Sequence, residues 1–351
     1  MNKNNKNIFH KTLSANYNYC ILQKLKPILK PIIIISMKIL AGLSHKKLAR
    51  YLAEELNCKY VKTYITTFDD AETRVEILED MYKCDVVIVQ STSRPANNHL
   101  MELLLLVDTV KRAGASQVTA VIPYFGYSRQ DRSSCSFTPV SSRLVASMLE
   151  VAGVNHVITV DLHSQQLEGF FKIPLQNLDP ISLFAPIIET YNNSIIVSPD
   201  VGGFVRVRDV NRLFNMNIAV INKSRDVKRY SRPLAEFASA REFVGGSERR
   251  TAAYSDVRED SSLVPTHKLP AEVELCKMSN DKCQISEIIG NVSGKHCILI
   301  DDIVDSGETL CKGAKLLMEV GALSVNAFIT HPVLSSMSKE NIQNSDIMNV
   351  L

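Results

Sequence analysis

Residues Arg112–Pro123 read RAGASQVTAVIP, and residues Glu319–Thr330 read EVGALSVNAFIT. The two stretches align without gaps, matching Gly114 with Gly321, Ala115 with Ala322, Val118 with Val325, Ala120 with Ala327 and Ile122 with Ile329. Each has the same grammar: a helix, a glycine just past its end, a short turn, and then an apolar strand. A junction that occurs twice in one chain predicts two similar α/β domains, meeting near residues 180 to 195.

Working outward, short apolar β-branched runs alternate with helical periods. Strands are expected at Lys38–Leu43, Asp85–Gln90, Val118–Pro123, His156–Asp161, Ser194–Ser198, Ile218–Ile221, His296–Ile300 and Ser324–Thr330. Most are continuously apolar rather than alternating, as parallel strands buried on both faces should be. Helices are expected at Asn98–Ala113 and Thr309–Val320. The fold class is therefore α/β, each domain a mainly parallel sheet flanked by helices.

The chain of 351 residues is long enough for both domains, and its 45% hydrophobic and 22% charged content is that of a globular protein. The net charge of +3 is misleading: residues 1–36 hold six lysines and no acid, so the remainder carries +3 − 6 = −3. A general nucleic-acid surface is not expected. Eight scattered cysteines without a Cys-x-x-Cys pair fit a reducing cytoplasm. No run of 18 apolar residues exists, so no membrane span is expected. The domains read as 37–185 and 186–351, with 1–36 a disordered extension or a start-site artefact. A charged, Ser/Gly/Pro-rich insertion runs from about 241 to 272.

The stretch CILIDDIVDSGETL (Cys297–Leu310) carries the chemistry. An apolar strand delivers Asp301 and Asp302 to the crevice at its C-terminal end, where open α/β sheets bind ligands. Asp305, Ser306, Gly307, Glu308 and Thr309 then lead into a helix whose unsatisfied N–H groups suit a phosphate. Paired acids suit sugar hydroxyls or hydrated magnesium, and a phosphorylated sugar satisfies both halves.

This Asp-Asp-x-x-Asp-Ser-Gly-x-Thr loop resembles the phosphoribosyl-binding loop of phosphoribosyltransferases and ribose-phosphate pyrophosphokinases. QSTSRPANNHLMEL (Gln90–Leu103), TAVIPYFGYSRQDR (Thr119–Arg132), ITVDLHSQQLEGFF (Ile158–Phe171) and VSPDVGG (Val197–Gly203) resemble the second family, in its order. The resemblance, which spans Met37 to about Asn344, implies two phosphoribosyltransferase-like domains and conversion of ATP and ribose 5-phosphate to phosphoribosyl pyrophosphate and AMP. It implies ATP contacts from Phe68, Asp70, Glu72, Arg129, Gln130 and Arg132, and Mg2+ at His163 and Asp200. Ribose 5-phosphate would be held by Asp301, Asp302, Asp305, Ser306, Gly307, Glu308, Thr309 and Arg225. Lys223 and Arg225 would be the catalytic cations of a closing loop. The implied assembly is a homo-oligomer, dimer-based and hexameric in the family. A degenerate, non-catalytic homologue and a phosphoribosyltransferase are the alternatives.

Four departures from the family's pattern stand out. Ala71 occupies a position where glycine is usual, and SSCSFT (Ser133–Thr138) replaces a stretch that is often basic and phosphate-responsive. The insertion follows the catalytic loop. The chain also ends soon after ITHPVLSS, leaving the second sheet with an expected bare edge.

Overall fold

The computed structural model describes residues 21–28, 37–133, 135, 137–224, 284–335 and 337–351. Two units are distinguished: Met1–Asp131, Val140–Ser224 and Cys283–Leu351 make the first, and Arg132–Pro139 with Arg225–Lys282 the second. Both large sheets belong to the first unit.

Residues 21–28 form α1. Then follow β1 (Met37–Ala41), α2 (Lys46–Leu56), β2 (Lys59–Tyr60), β3 (Thr63–Thr67), β4 (Thr73–Ile77), β5 (Asp85–Val89) and α3 (Ala96–Arg112). The first half closes with β6 (Gln117–Ile122), α4 (Ser141–Ala152), β7 (His156–Val160) and β8 (Leu175–Leu178). Six of these strands make one sheet in the order β2-β1-β5-β6-β7-β8, parallel throughout. The pattern DVVIV explains its layering: Val86 and Ile88 enter the core under α3 and α4, while Val87 and Val89 enter the core under α2. Strands β3 and β4 form a separate antiparallel hairpin.

The second half runs α5 (Ile181–Ile188), β9 (Ser194–Ser198), α6 (Phe204–Phe214), β10 (Asn217–Ser224), β11 (Gln284–Ile289) and β12 (His296–Val304). After these come α7 (Glu308–Glu319), β13 (Ser324–Pro332), α8 (Ser338–Gln343) and β14 (Ile347–Val350). The sheet order is β11-β10-β9-β12-β13-β14, parallel except for the antiparallel β10–β11 pair. Cys297 and Leu299 face the core under α7, and Ile298 and Ile300 face the core of α5 and α6.

The repeated junction is the same in both halves. Gly114 has φ 83° and Gly321 has φ 97°, the left-handed region that glycine enters without cost. In the first copy Gly114 N–H donates to Lys111 O and Ala115 N–H to Val110 O; in the second, Gly321 N–H donates to Met318 O and Ala322 N–H to Leu317 O. These are matching Schellman closures.

One expectation is corrected. Within the supposed disordered extension, α1 buries Ile21, Leu22 and Leu25 in the same cluster as β1 and α2; residues 1–20 and 29–36 lie outside the described residues. In the second sheet β14 pairs beyond β13 as the outermost strand, and Leu351 N–H donates to Ala327 O at 2.8 Å. The insertion at 241–272 also lies outside the described residues. It falls between β10 and β11, which pair directly.

Candidate active site

In the second sheet the strand order reverses between β9 and β12, and such switch points open a crevice at the strands' C-terminal ends. Asp200 follows β9 there. Pairing of β12 with β9 stops at Leu299↔Val197, but β12 continues along β13 as far as Val304. The strand is thus four residues longer than the sequence suggested, and Asp301 and Asp302 lie inside it. Consecutive strand residues point to opposite faces, so the two acids have different surroundings.

Beyond β12 the chain turns through Asp305 and Ser306 into α7. Gly307 has φ 74°, and a Cβ there would stand 3.1 Å from Ile342 Cγ1. Only glycine fits both constraints. Ser306 and Thr309 are exposed beside the first turn of α7, and Glu308 pairs with Lys312. The turn is held from behind by groups that the sequence reading missed: Asn341 Nδ2 donates to Ser306 O at 3.1 Å, and Ser335 N–H donates to Asp305 O at 3.1 Å.

Asp302 is only 4% exposed, and both its oxygens are engaged. His163 Nδ1 lies 2.7 Å from Oδ2, and Arg206 Nη1 lies 3.5 Å from Oδ1. Burial pushes this carboxyl up, yet the His163 hydrogen bond and the Arg206 charge outweigh it and hold its pKa at about 2. Asp301 goes the other way: burial, reinforced by the neighbouring Asp302 charge, pushes it well above the usual carboxylate range. The carboxylate of Asp302 faces the first sheet's loops through His163.

Those loops come from the C-terminal ends of β6 and β7. Arg129, in the turn after β6, places Nη1 3.2 Å from Asp305 Oδ2. Gln130 Oε1 accepts the Ser141 hydroxyl at 2.5 Å, and Gln130 O accepts the Ser142 hydroxyl at 2.9 Å, so this residue also braces the start of α4. After β7, Asp161 adopts φ 45°, and Tyr127, two residues before Arg129, adopts φ 63°. Non-glycine residues in this region store strain, and such strain gathers at functional sites.

Asp161 Oδ1 accepts from Arg206 Nη2 at 3.1 Å, and its other oxygen accepts the Thr330 hydroxyl. His331 Nε2 lies 2.9 Å from Val160 O and 3.2 Å from Asp161 O, so that nitrogen carries the proton. Arg206, Asp161, Thr330 and His331 were not singled out from sequence. A polar side chain inside an otherwise apolar strand, as in ITHP, was the available signal for the last two.

Phe68, Asp70 and Glu72 sit exposed at the tip of the β3–β4 hairpin, where Phe68 N–H donates to Glu72 O at 2.8 Å. Ala71 there has φ 72°. Arg132 is exposed and belongs to the second unit. Lys223 pairs with Ile285 beside a β-bulge, and Arg225 lies outside the described residues. Asp200 Oδ1 accepts from Gly203 N–H at 2.8 Å, and its charge acts on Asp301.

Among the described residues, no group of three or more His, Cys, Asp or Glu side chains is arranged to hold a metal ion. The donor chemistry nevertheless suits Mg2+. A hydrogen bond such as that of His163 to Asp302 is the kind of outer contact that would orient a metal-ligating imidazole through its other nitrogen. Magnesium also takes few protein ligands and completes its shell with water and phosphate oxygens.

A family profile described as the N-terminal domain of ribose phosphate pyrophosphokinase matches residues 37–153. A second, described as the phosphoribosyl synthetase-associated domain, matches residues 190–351. The chain belongs to the ribose-phosphate pyrophosphokinase family. A relative named ribose-phosphate pyrophosphokinase from Rhizobium meliloti is 41% identical over 312 residues, covering 88% of this chain and 84% of its own. One of the same name from Agrobacterium fabrum is 39% identical over 314 residues, covering 89% and 84%. The crystal structure of phosphoribosylpyrophosphate synthetase from Mycobacterium smegmatis superposes with a TM-score of 0.70 at 28% identity, covering 90% of this chain and 88% of that one. Family membership makes this chain an enzyme of the diphosphokinase type. No described helix is long and apolar enough to cross a membrane.

Proposed function

We propose that this chain transfers pyrophosphate from ATP to ribose 5-phosphate, forming 5-phosphoribosyl 1-pyrophosphate and AMP. The observation that carries the reading is the meeting of Arg129 and Asp305 at 3.2 Å. It sets the proposed nucleotide turn against the proposed sugar-phosphate loop, so that two substrates can react within one crevice.

Asp301, Asp305, Ser306, Gly307, Glu308 and Thr309 hold ribose 5-phosphate, with its phosphate at the start of α7. Asp302 supports the site from behind. Arg129, Gln130 and Arg132 take the ATP phosphates, with Phe68, Asp70 and Glu72 supplied by a hairpin that reaches a neighbouring copy in a homo-oligomer. The sugar's anomeric hydroxyl attacks the β-phosphorus in line, and AMP leaves. Lys223 and Arg225 would supply the positive charge that stabilises the spreading negative charge of the transition state. His163 and Asp200 would hold Mg2+, which when bound neutralises phosphate charge. No side chain is required as a covalent nucleophile, so positioning supplies most of the catalysis. The site of action is the cytoplasm, where the free thiols of Cys58, Cys84, Cys297 and Cys311 stay reduced.

AMP release by purified protein, with each component omitted in turn, tests the assignment. Release should require magnesium, ATP and ribose 5-phosphate together, and AMP without the sugar phosphate would contradict it. Lys223→Ala should lose most of its turnover, and Asp305→Asn should raise KM for ribose 5-phosphate. Unchanged turnover in the first variant removes Lys223 from its role. Formation of a nucleotide from phosphoribosyl pyrophosphate and free adenine would favour a phosphoribosyltransferase instead.

A further inference from the structure

Six residues after Asp200, in the first turn of α6, Arg206 reaches away from its own helix to two acids on different sheets. Nη2 meets Asp161 Oδ1 at 3.1 Å, where β7 of the first sheet ends, and Nη1 meets Asp302 Oδ1 at 3.5 Å, inside β12 of the second. The three side chains are 19%, 10% and 6% exposed. The second oxygen of each acid is also committed, Asp161 to Thr330 and Asp302 to His163. A continuous chain of contacts therefore runs Thr330–Asp161–Arg206–Asp302–His163.

We propose that Arg206 is a positioning residue for the reaction: its two-pronged grip on Asp161 and Asp302 fixes the carboxylate that orients the His163 imidazole. The inference rests on the reading of His163 as a ligand of the nucleotide's magnesium ion. A buried ion pair contributes little to net stability, because desolvation offsets its attraction. The geometry gives this pair a different use. Asp302 accepts from an imidazole nitrogen and thereby decides which nitrogen faces the site. Besides His163, the groups that hold this carboxylate are the Arg206 guanidinium and the neighbouring Asp301 carboxyl, and of these only Arg206 ties it to Asp161 of the first sheet. Asp301 also lies within electrostatic reach of the same guanidinium, so one cation balances three acids of the crevice wall. Lysine would supply the charge but not the fork.

The test uses full-length protein with 15N-labelled histidine, first without metal or nucleotide. Wild type should show a hydrogen-bonded His163 Nδ1 proton, assigned by its loss in His163→Asn. In Arg206→Lys, which keeps the charge and so protects folding, that resonance should be lost or exchange-broadened. The fall in kcat should be about tenfold or more, with KM for ribose 5-phosphate unchanged. Arg206→Gln serves as the second variant wherever its thermal midpoint shows a folded protein. The loss in Arg206→Lys should add little in a His163→Asn background, since both variants break one unit. Retention of the resonance in a folded Arg206 variant, full restoration of kcat by lysine, or additive losses would overturn the proposal. Full turnover by His163→Asn alone would instead remove His163 from the catalytic reading, a failure seen without any Arg206 variant.

Discussion

Ala71 holds φ 72° at the hairpin tip, where its Cβ crowds the following carbonyl. Glycine would relieve roughly 1 kcal/mol of that strain after its own entropy cost. Ala71→Gly is expected to slow hydrogen exchange at the Phe68 amide severalfold, since that amide closes the hairpin against Glu72 O; unchanged or faster exchange would show that the strain is absorbed elsewhere. The position was legible in sequence as a glycine site filled by alanine. Gly307 is the opposite case, a residue with no room for change. A Cβ at φ 74°, 3.1 Å from Ile342 Cγ1, adds strain of about 1–2 kcal/mol. Gly307→Ala should therefore raise KM for ribose 5-phosphate about tenfold with a smaller change in thermal midpoint, as compared by steady-state kinetics and calorimetry.

Among the elements, the turn between β12 and α7 depends on α8, through the Asn341 hydrogen bond to Ser306 O. Asn341→Ala removes a contact worth about 0.5–1.5 kcal/mol, so KM for ribose 5-phosphate should rise roughly two- to tenfold while ATP kinetics stay near wild type. Equal kinetics for both substrates would show that α8 does not support the loop. The elements themselves were largely legible. Continuous apolar runs such as DVVIV and CILI announce strands covered on both faces, and Gly114 and Gly321 mark two helix ends. The hairpin and β14 were not, because TYITT, TRVEI and IMNV are short and half-exposed, and burial is what makes a strand conspicuous. The true end of β12 was hidden for a related reason. Asp301 and Asp302 look like loop residues, yet pairing to β13 continues beneath them.

At the scale of the whole molecule, contacts between the sheets were the least legible part. Nothing in local sequence says that Asp302 will meet His163, 139 positions away, or that Arg206 will bridge Asp161 and Asp302. Composition and periodicity report on neighbours along the chain, whereas these partners are chosen by how two sheets pack. His331 belongs to the same seam, and burial lowers its pKa against the pull of Asp161. The unfolded chain therefore takes up this proton at higher pH than the folded one. Its contribution is full above the unfolded pKa of about 6.5 and is lost as pH falls below it. The thermal midpoint should drop between about pH 7 and pH 5.5, and His331→Gln should flatten that drop; an equally steep profile in the variant would assign the effect to other groups.

The seam matters because it joins the proposed nucleotide and sugar halves, and the reaction requires both. The most direct measurement follows ATP labelled at its β-phosphorus, incubated with magnesium, ribose 5-phosphate and the full-length protein. Transfer of an intact pyrophosphoryl group puts all of the reacted label into 5-phosphoribosyl 1-pyrophosphate and leaves the AMP unlabelled. Label recovered in ADP, or no label in the sugar product, would contradict it.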